Sequence, residues 1–183
     1  MKHALPARPA LASRPTSTQL PEFEILDSAH RAALQMLQSF KGLVSRLQDT
    51  GLDDEARQIA RRIEAFFNGP GRDHHADEEK HVFPGLLASS DEVLVSHVRR
   101  LQQDHGWIEE DWRELAPHVR AVVEGYNGYD LPLLVAALPV FEALYLDHIA
   151  LEETLVYPAA KRQKLAVPNG RNGEPALLQE PKN

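Results

Sequence analysis

From residue 21 onward the apolar positions of this chain recur every three or four residues, in four long stretches separated by short polar breaks. The first runs from Pro21 to about Asp49 and carries Phe23, Leu26, Ala33, Leu34, Leu37, Val44 and Leu47. Glu22 and Glu24 stand in its opening turn, where the positive end of the helix dipole favours them. Thr50-Gly51 ends it, and Asp53, Asp54 and Glu55 open a second stretch with Ile59, Ile63, Phe66 and Phe67. The cluster Asn68-Gly69-Pro70-Gly71 predicts a break, so that the second helix consists of two pieces, 53–68 and about 72–87. A Ser89/Glu92 capping box starts the third stretch, which runs through Val95, Val98, Leu101, Ile108, Trp112, Leu115, Val119 and Val122 to about Gly125, with a kink expected at Pro117. After a turn at Tyr126-Asn127-Gly128-Tyr129, Asp130 and Pro132 begin the fourth, which continues through Leu138, Phe141, Leu144 and Leu155 to about Lys164 and is expected to bend at Pro139. Four long helices with short connections predict an all-α fold, an up-down-up-down antiparallel four-helix bundle over residues 21–165.

Outside that span the periodicity disappears. Residues 1–20 carry Pro6, Pro9 and Pro15 among Arg, Ser and Thr with no acidic residue, and read as a disordered N-terminal tail rather than a secretory signal. His3, within it, is given no role, and residues 166–183 read as a second disordered tail. The most apolar run, residues 131–146, is interrupted by Pro132, Pro139 and Glu142 and falls short of the roughly 20 residues that span a bilayer. A soluble, cytoplasmic protein without a membrane partner is expected.

The helical stripes are themselves interrupted, by histidine. His30 falls on the Phe23/Leu26/Ala33/Leu37 stripe and His105 on that of Leu101 and Ile108, so both point into the core. The segments DHHADEEKHVFP, residues 73–84, and DHIALEETLVYP, residues 147–158, align without a gap. In each, a His precedes a Glu by four residues, which on a helix places the two side chains roughly 40° apart and about 6 Å apart along the axis. His74 with Glu78 and His148 with Glu152 are thus two copies of one two-toothed comb. His30 precedes His74 by 44 residues and His105 precedes His148 by 43, so the whole unit is doubled. Four His and two Glu from four helices suit a pair of borderline transition metals, two His to each and two carboxylates between them.

Composition narrows the chemistry further. The chain has no cysteine, which excludes disulfides, thiolate catalysis, iron–sulfur clusters and Cys-zinc sites and leaves nitrogen and oxygen as the only ligands. Net charge is -7 with the basic residues scattered, which argues against a nucleic-acid partner. A ferritin-like di-iron bundle needs Glu-x-x-His on two helices; only Glu78-Glu79-Lys80-His81 fits, because Leu155 stands where the second His belongs.

A His early in helix 1, H-H-x-x-E-E with Phe-Pro in helix 2, a His in helix 3 and H-x-x-x-E-E in helix 4 together resemble the hemerythrin-like, or HHE cation-binding, family over about residues 21–165. The resemblance implies a non-haem di-iron centre in which Glu78, Glu152 and an oxo, hydroxo or water oxygen bridge two Fe ions. His30, His74, His105 and His148 then fill terminal positions, and Zn or Mn are expected substitutes. Oxygen-carrying members have a fifth His in an HxxxH pair on the third helix, whereas here Leu101 and Glu109 flank His105 at that spacing. Two further residues are candidate ligands. His75 occupies the position some four-His members use, though about 100° round the helix from His74 it could equally face solvent; Glu109 lies one turn after His105, with a surface role as the alternative. Glu79 and Glu153 are expected to face solvent or to hydrogen-bond a ligand His. His81, His97 and His118 are read as structural. Trp107, Trp112, Phe83 and Tyr157 are read as packing around the site, with Tyr157 the best placed for a hydrogen bond to it.

Three functions fit this site. The first is binding or sensing of a small oxidant, O2, NO or peroxide, or handling of iron. The second is a di-iron enzyme that reduces peroxide or nitric oxide or oxidises ferrous iron. The third is a metal-stabilised helical interaction module, and oligomerisation is compatible with all three.

Overall fold

A computed structural model describes residues 21–166, and every regular element among them is helical. The two expected tails, with His3, lie outside the described residues except for Ala166. Helix α1 spans Pro21–Asp49 and α2 spans Asp54–Asn68. Between them the chain turns at Gly51, whose φ of 84° suits a residue without a Cβ, and Asp53 caps α2 by accepting a hydrogen bond from the Ala56 N–H at 2.8 Å.

Beyond Gly69 the second stretch forms two pieces of its own, α3 over Pro70–His81 and α4 over Phe83–Leu87. The sequence predicts one piece there. The additional break falls at Val82, because Pro84 has no N–H to offer the carbonyl four residues back and its ring crowds that turn.

Helix α5 spans Glu92–Glu124, and its cap is Asp91 rather than the expected Ser89/Glu92 box. The Asp91 carboxylate accepts from the N–H groups of Val93 and Leu94, and Ser89 Oγ accepts from the Asp91 N–H. Gly125, at φ 83°, closes α5 in the left-handed region. Asp130 caps α6, Leu131–Leu151, by accepting from the Leu133 N–H, and its own N–H donates to His118 Nδ1, which fixes the α5–α6 turn. Both α5 and α6 run on through Pro117 and Pro139.

The fourth stretch then changes pitch. Glu152–Val156 is a π-helical turn, and α7, Tyr157–Ala166, follows. The Tyr157 N–H reaches back five residues to the Glu152 carbonyl, and Pro158 has no N–H to give Thr154. Pro84 and Pro158, aligned in the repeat, thus each disturb the helix just past a comb, once as a break and once as a widened turn.

The long helices touch in a ring, α1 on α2, α2 on α5, α5 on α6 and α6 on α1. Their apolar faces form two separate clusters. One gathers Leu37, Phe40, Ile63, Phe67, Trp112 and Phe141 among others; the second gathers Phe23, Phe83, Leu86, Leu101, Val156 and Tyr157 among others. His30 lies between Leu26 of the second cluster and Ala33 of the first, and His105 between Leu101 and Ile108 in the same way. The histidines therefore form a polar layer between two apolar ones.

Three apolar residues expected in the interior face outward: Leu34, Leu155 and Trp107, the last 49% exposed. The continuous helical run Leu131–Lys164 also contains an 18-residue window that is long and apolar enough to cross a membrane by length and composition, with a mean hydropathy of 1.6. That differs from the sequence expectation because a window average tolerates two charged residues, where a search for an unbroken run does not. Its inward side carries Tyr145, His148 and Glu152 against α1 and α5, the position of a core helix.

Candidate metal centre

Each of the six residues singled out by the repeat is buried in one cluster. His30 is 1% exposed, Glu78 and Glu152 are fully buried, and His74, His105 and His148 are buried with them. The ligand atoms of His30, His74, Glu78 and Glu152 lie within 4.8 Å of one another, and so do those of Glu78, His105, His148 and Glu152. The two carboxylates are common to both groups. Glu152 Oε2 stands 3.1 Å from His30 Nε2 and 3.3 Å from His148 Nε2; Glu78 Oε2 stands 3.6 Å from His74 Nε2 and 3.5 Å from His105 Nε2. Each Glu thus faces one histidine of each half, where a bridging ligand has to be.

His75 joins them. It is buried, its Nε2 has no hydrogen-bond partner, and it forms a three-histidine group with His105 and His148, its ring stacked 4.2 Å from that of His105. Adjacent residues on α3 both point inward because α3 packs against α1 on one side and α5 on the other. The candidate set is therefore five histidines and two glutamates, divided as two His on one side and three on the other. Glu109 is not part of it. Its carboxylate accepts from Arg72 Nε at 3.0 Å on the protein surface, since the turn after His105 already carries Ile108 inward.

Carboxylates outside the cluster orient the ring nitrogens. His30 Nδ1 donates to Glu153 Oε1 at 3.0 Å and His105 Nδ1 donates to Glu79 Oε1 at 2.9 Å, so in both rings Nε2 is the nitrogen turned toward Glu78 and Glu152. Asp104 stands outside the set that the repeat marks. It is 1% exposed, with one carboxylate oxygen 3.9 Å from His148 Nδ1 and 3.6 Å from Arg100 Nε. A signal was present, since Asp precedes His at 73–74, 104–105 and 147–148, but Asp73 and Asp147 are exposed and only Asp104 turns inward.

Aromatic rings close the layer. Phe83 stacks on His105 with centroids 5.6 Å apart, and Tyr157, its counterpart in the repeat, stacks on His30 at 5.3 Å. The Tyr157 hydroxyl donates to Glu78 Oε1 and lies 3.2 Å from His30 Nε2.

Electrostatics show a cluster short of positive charge. Burial lowers the His74 pKa to about 4 and drives that of His75 well below the usual histidine range, helped for both by neighbouring imidazoles, so both rings are neutral at pH 7. Burial also acts to lower His30, but Glu152, Glu153 and Glu78 outweigh it and raise its pKa. Of the paired carboxylates, Glu152 is pushed up by burial and by the charge of Glu78. Glu78 is held low against its own burial by His105, His74 and the Tyr157 hydroxyl. One carboxylate charge is thus accommodated in the metal-free cluster and a second is resisted.

A bound cation fits this environment. Ten buried side-chain nitrogen and oxygen atoms among the described residues have no hydrogen-bond partner, and all belong to the candidate set or to Asp104. So many unpaired polar atoms in one interior are costly unless something positive sits among them. Imidazole and carboxylate are the ligands that borderline divalent and trivalent metals take. The residues fit a metal centre.

Comparison with curated proteins and with solved structures returns no match. A family model does match, the hemerythrin HHE cation binding domain, over residues 22–160, a span that holds every residue of the cluster. With the match covering most of the chain and its cation-binding character matching the buried His/Glu cluster, this protein belongs to the hemerythrin HHE cation-binding family.

Proposed function

We propose that this protein is a non-haem di-iron member of the family that binds or senses a small oxidant, O2, NO or peroxide, inside an up-down-up-down antiparallel four-helix bundle. The bundle topology is supported by the ring of contacts among α1, α2, α5 and α6 and by the short connections between them. His30 and His74 would hold one ion and His75, His105 and His148 the other, with Glu78 and Glu152 available to both. The observation that carries this reading is the shared position of the two glutamates, each facing one histidine of each half.

When bound, a pair of iron ions supplies two electrons and a coordination position for the oxidant. The chain does the rest. Glu79 and Glu153 hold His105 and His30 in one tautomer, so Nε2 keeps its lone pair. The two apolar clusters above and below the layer restrict water, which protects a bound oxidant from protonation and release. Binding is favoured over turnover by the histidine count: with His75, a candidate by sequence, in the cluster there are five.

The test is metal stoichiometry. Anaerobic reconstitution of the full chain with ferrous iron is expected to saturate at about two ions per chain. Saturation near one ion overturns the dinuclear assignment. A steady-state assay with peroxide separates binding from turnover: sustained consumption, many equivalents per chain, overturns the binding role in favour of the enzyme.

A further inference from the structure

The two halves of the repeat are not equivalent, and three of their differences fall beside the cluster. The first half has His75 where the second has Ile149, and Phe83 where the second has Tyr157; before its lone histidine the first has Ala29 and the second Asp104. His75 lies on the first comb but groups with His105 and His148. That leaves the His30/His74 side one ligand short. The same side is where the one hydroxyl-bearing aromatic of the repeat pair has been placed.

We propose that the Tyr157 oxygen is itself a metal ligand, completing the two-histidine side of the centre as His75 completes the other. The inference rests on the dinuclear reading above and adds a residue that the His/Glu pattern does not include. Adjacent ligands at right angles around a metal, each bonded at about 2.1 Å, stand about 3 Å apart. Tyr157 Oη is 3.2 Å from His30 Nε2, and His30 Nε2 is 3.1 Å from Glu152 Oε2, so the three atoms are spaced as neighbours on one coordination shell. The hydroxyl also contacts Glu78 Oε1, the other shared carboxylate. Each side then has five protein ligands: three His and two Glu on one, two His, two Glu and one Tyr on the other.

Packing alone does not call for the hydroxyl. Phe83 fills the equivalent position beside His105 as a plain ring and is as fully buried as Tyr157. Tyr157 follows directly on the π-helical turn, with its ring parallel to that of His30, 8° between the planes, and its oxygen 3.2 Å from His30 Nε2. A metal cation on this oxygen favours the phenolate, because coordination places positive charge directly on it. As the oxygen–metal bond forms the O–H bond breaks. The proton leaves to solvent, no electron is transferred, and the surface recess lined by Asp27, Arg31, Glu153, Tyr157 and Lys161 offers the way out.

Resonance Raman spectroscopy tests this directly. The full chain is loaded with ferrous iron, oxidised with ferricyanide, counted for iron and examined under visible excitation. Phenolate bound to ferric iron enhances tyrosine ring and C–O stretching modes; a phenol that only donates a hydrogen bond does not. The modes are expected in the native chain, lost in Tyr157→Phe and retained in Tyr145→Phe, the other buried tyrosine beside the cluster. Two irons per chain without tyrosinate modes overturn the ligand assignment and leave the dinuclear reading intact. Tyrosinate modes that survive Tyr157→Phe overturn it equally. One iron per chain with the modes present upholds Tyr157 while overturning the dinuclear reading, and failure to bind iron overturns both. Should Tyr157→Phe not fold, the native spectrum alone decides.

Discussion

Glu153 Oε1 lies 3.0 Å from His30 Nδ1, and through that contact the second half of the repeat orients the lone histidine of the first. Glu79 does the converse for His105 at 2.9 Å. In both combs the first Glu faces the centre and the second reaches sideways to a histidine on another helix. The double Glu of the motif is thus two functions, and the halves of the chain brace each other's rings.

Replacing the bracing carboxylates is expected to weaken the centre without abolishing it. Glu79→Ala and Glu153→Ala each lose the partner that fixes one tautomer, for which a fall of about 10- to 100-fold in metal affinity is expected. Competition titration against a chelator measures it. An unchanged affinity in both variants means the contacts do not orient the rings.

The shared carboxylates are expected to act on both ions together. Glu78→Ala or Glu152→Ala removes a group facing both halves and should abolish loading at both positions, with metal content falling toward zero. His30→Ala should instead weaken one ion more than the other and give a two-step titration. A full pair of ions retained in Glu78→Ala removes the bridging role.

His75 is expected to decide how the reduced protein meets oxygen. With it in place the three-histidine side would carry as many protein ligands as the side that Tyr157 completes; His75→Ala would leave it one short and open to the oxidant. Stopped-flow mixing of the ferrous-loaded protein with oxygen is expected to show a spectrum that reverts on degassing in the native chain and irreversible oxidation in the variant. Irreversible oxidation of both shows that a fifth histidine is not what protects the product.

Metal-free and metal-loaded protein should respond to pH with opposite sign. His30 and Glu152 have folded-state pKa values raised above their unfolded ones, so their contribution to stability is fully present below the unfolded values and is lost as pH rises through the folded ones. His74 and His75, lowered, act oppositely, but only below about pH 6.5. From about pH 6.5 to about 8.5 the metal-free chain should therefore lose stability. Loading displaces those protons, so affinity rises with pH, and metal at 100 times its Kd adds about 2.7 kcal/mol to the fold. Thermal unfolding of both forms across this range checks it: a gap in Tm that narrows with pH contradicts the assignment.

The helical periodicity of the sequence was enough to read an all-helical chain and most of its helix ends, but not the break at Val82 or the π-helical turn at Glu152–Val156. The i, i+4 spacing settled that His74 and Glu78, and His148 and Glu152, share a face. The doubling made His30 and His105 legible as members of the same set, since a lone histidine on an apolar stripe carries no such message. These are local facts: they depend on 100° per residue and on nothing beyond the helix that carries them. What the sequence could not decide was how many neighbours each helix has. His75 and Glu109 were equal candidates by spacing; α3, held between α1 and α5, buries two adjacent residues and takes His75 inside, while α5 at Glu109 faces Arg72 and solvent. Asp104 was likewise hidden, because it depends on which side of α5 meets α6. Tyr157 was legible as a hydrogen-bonding neighbour of the site, and only the tertiary structure decided that its partners are Glu78 and His30. Helix geometry placed the ligands that lie on one face; only the packing of the helices against one another determined which off-face residues reach the same point.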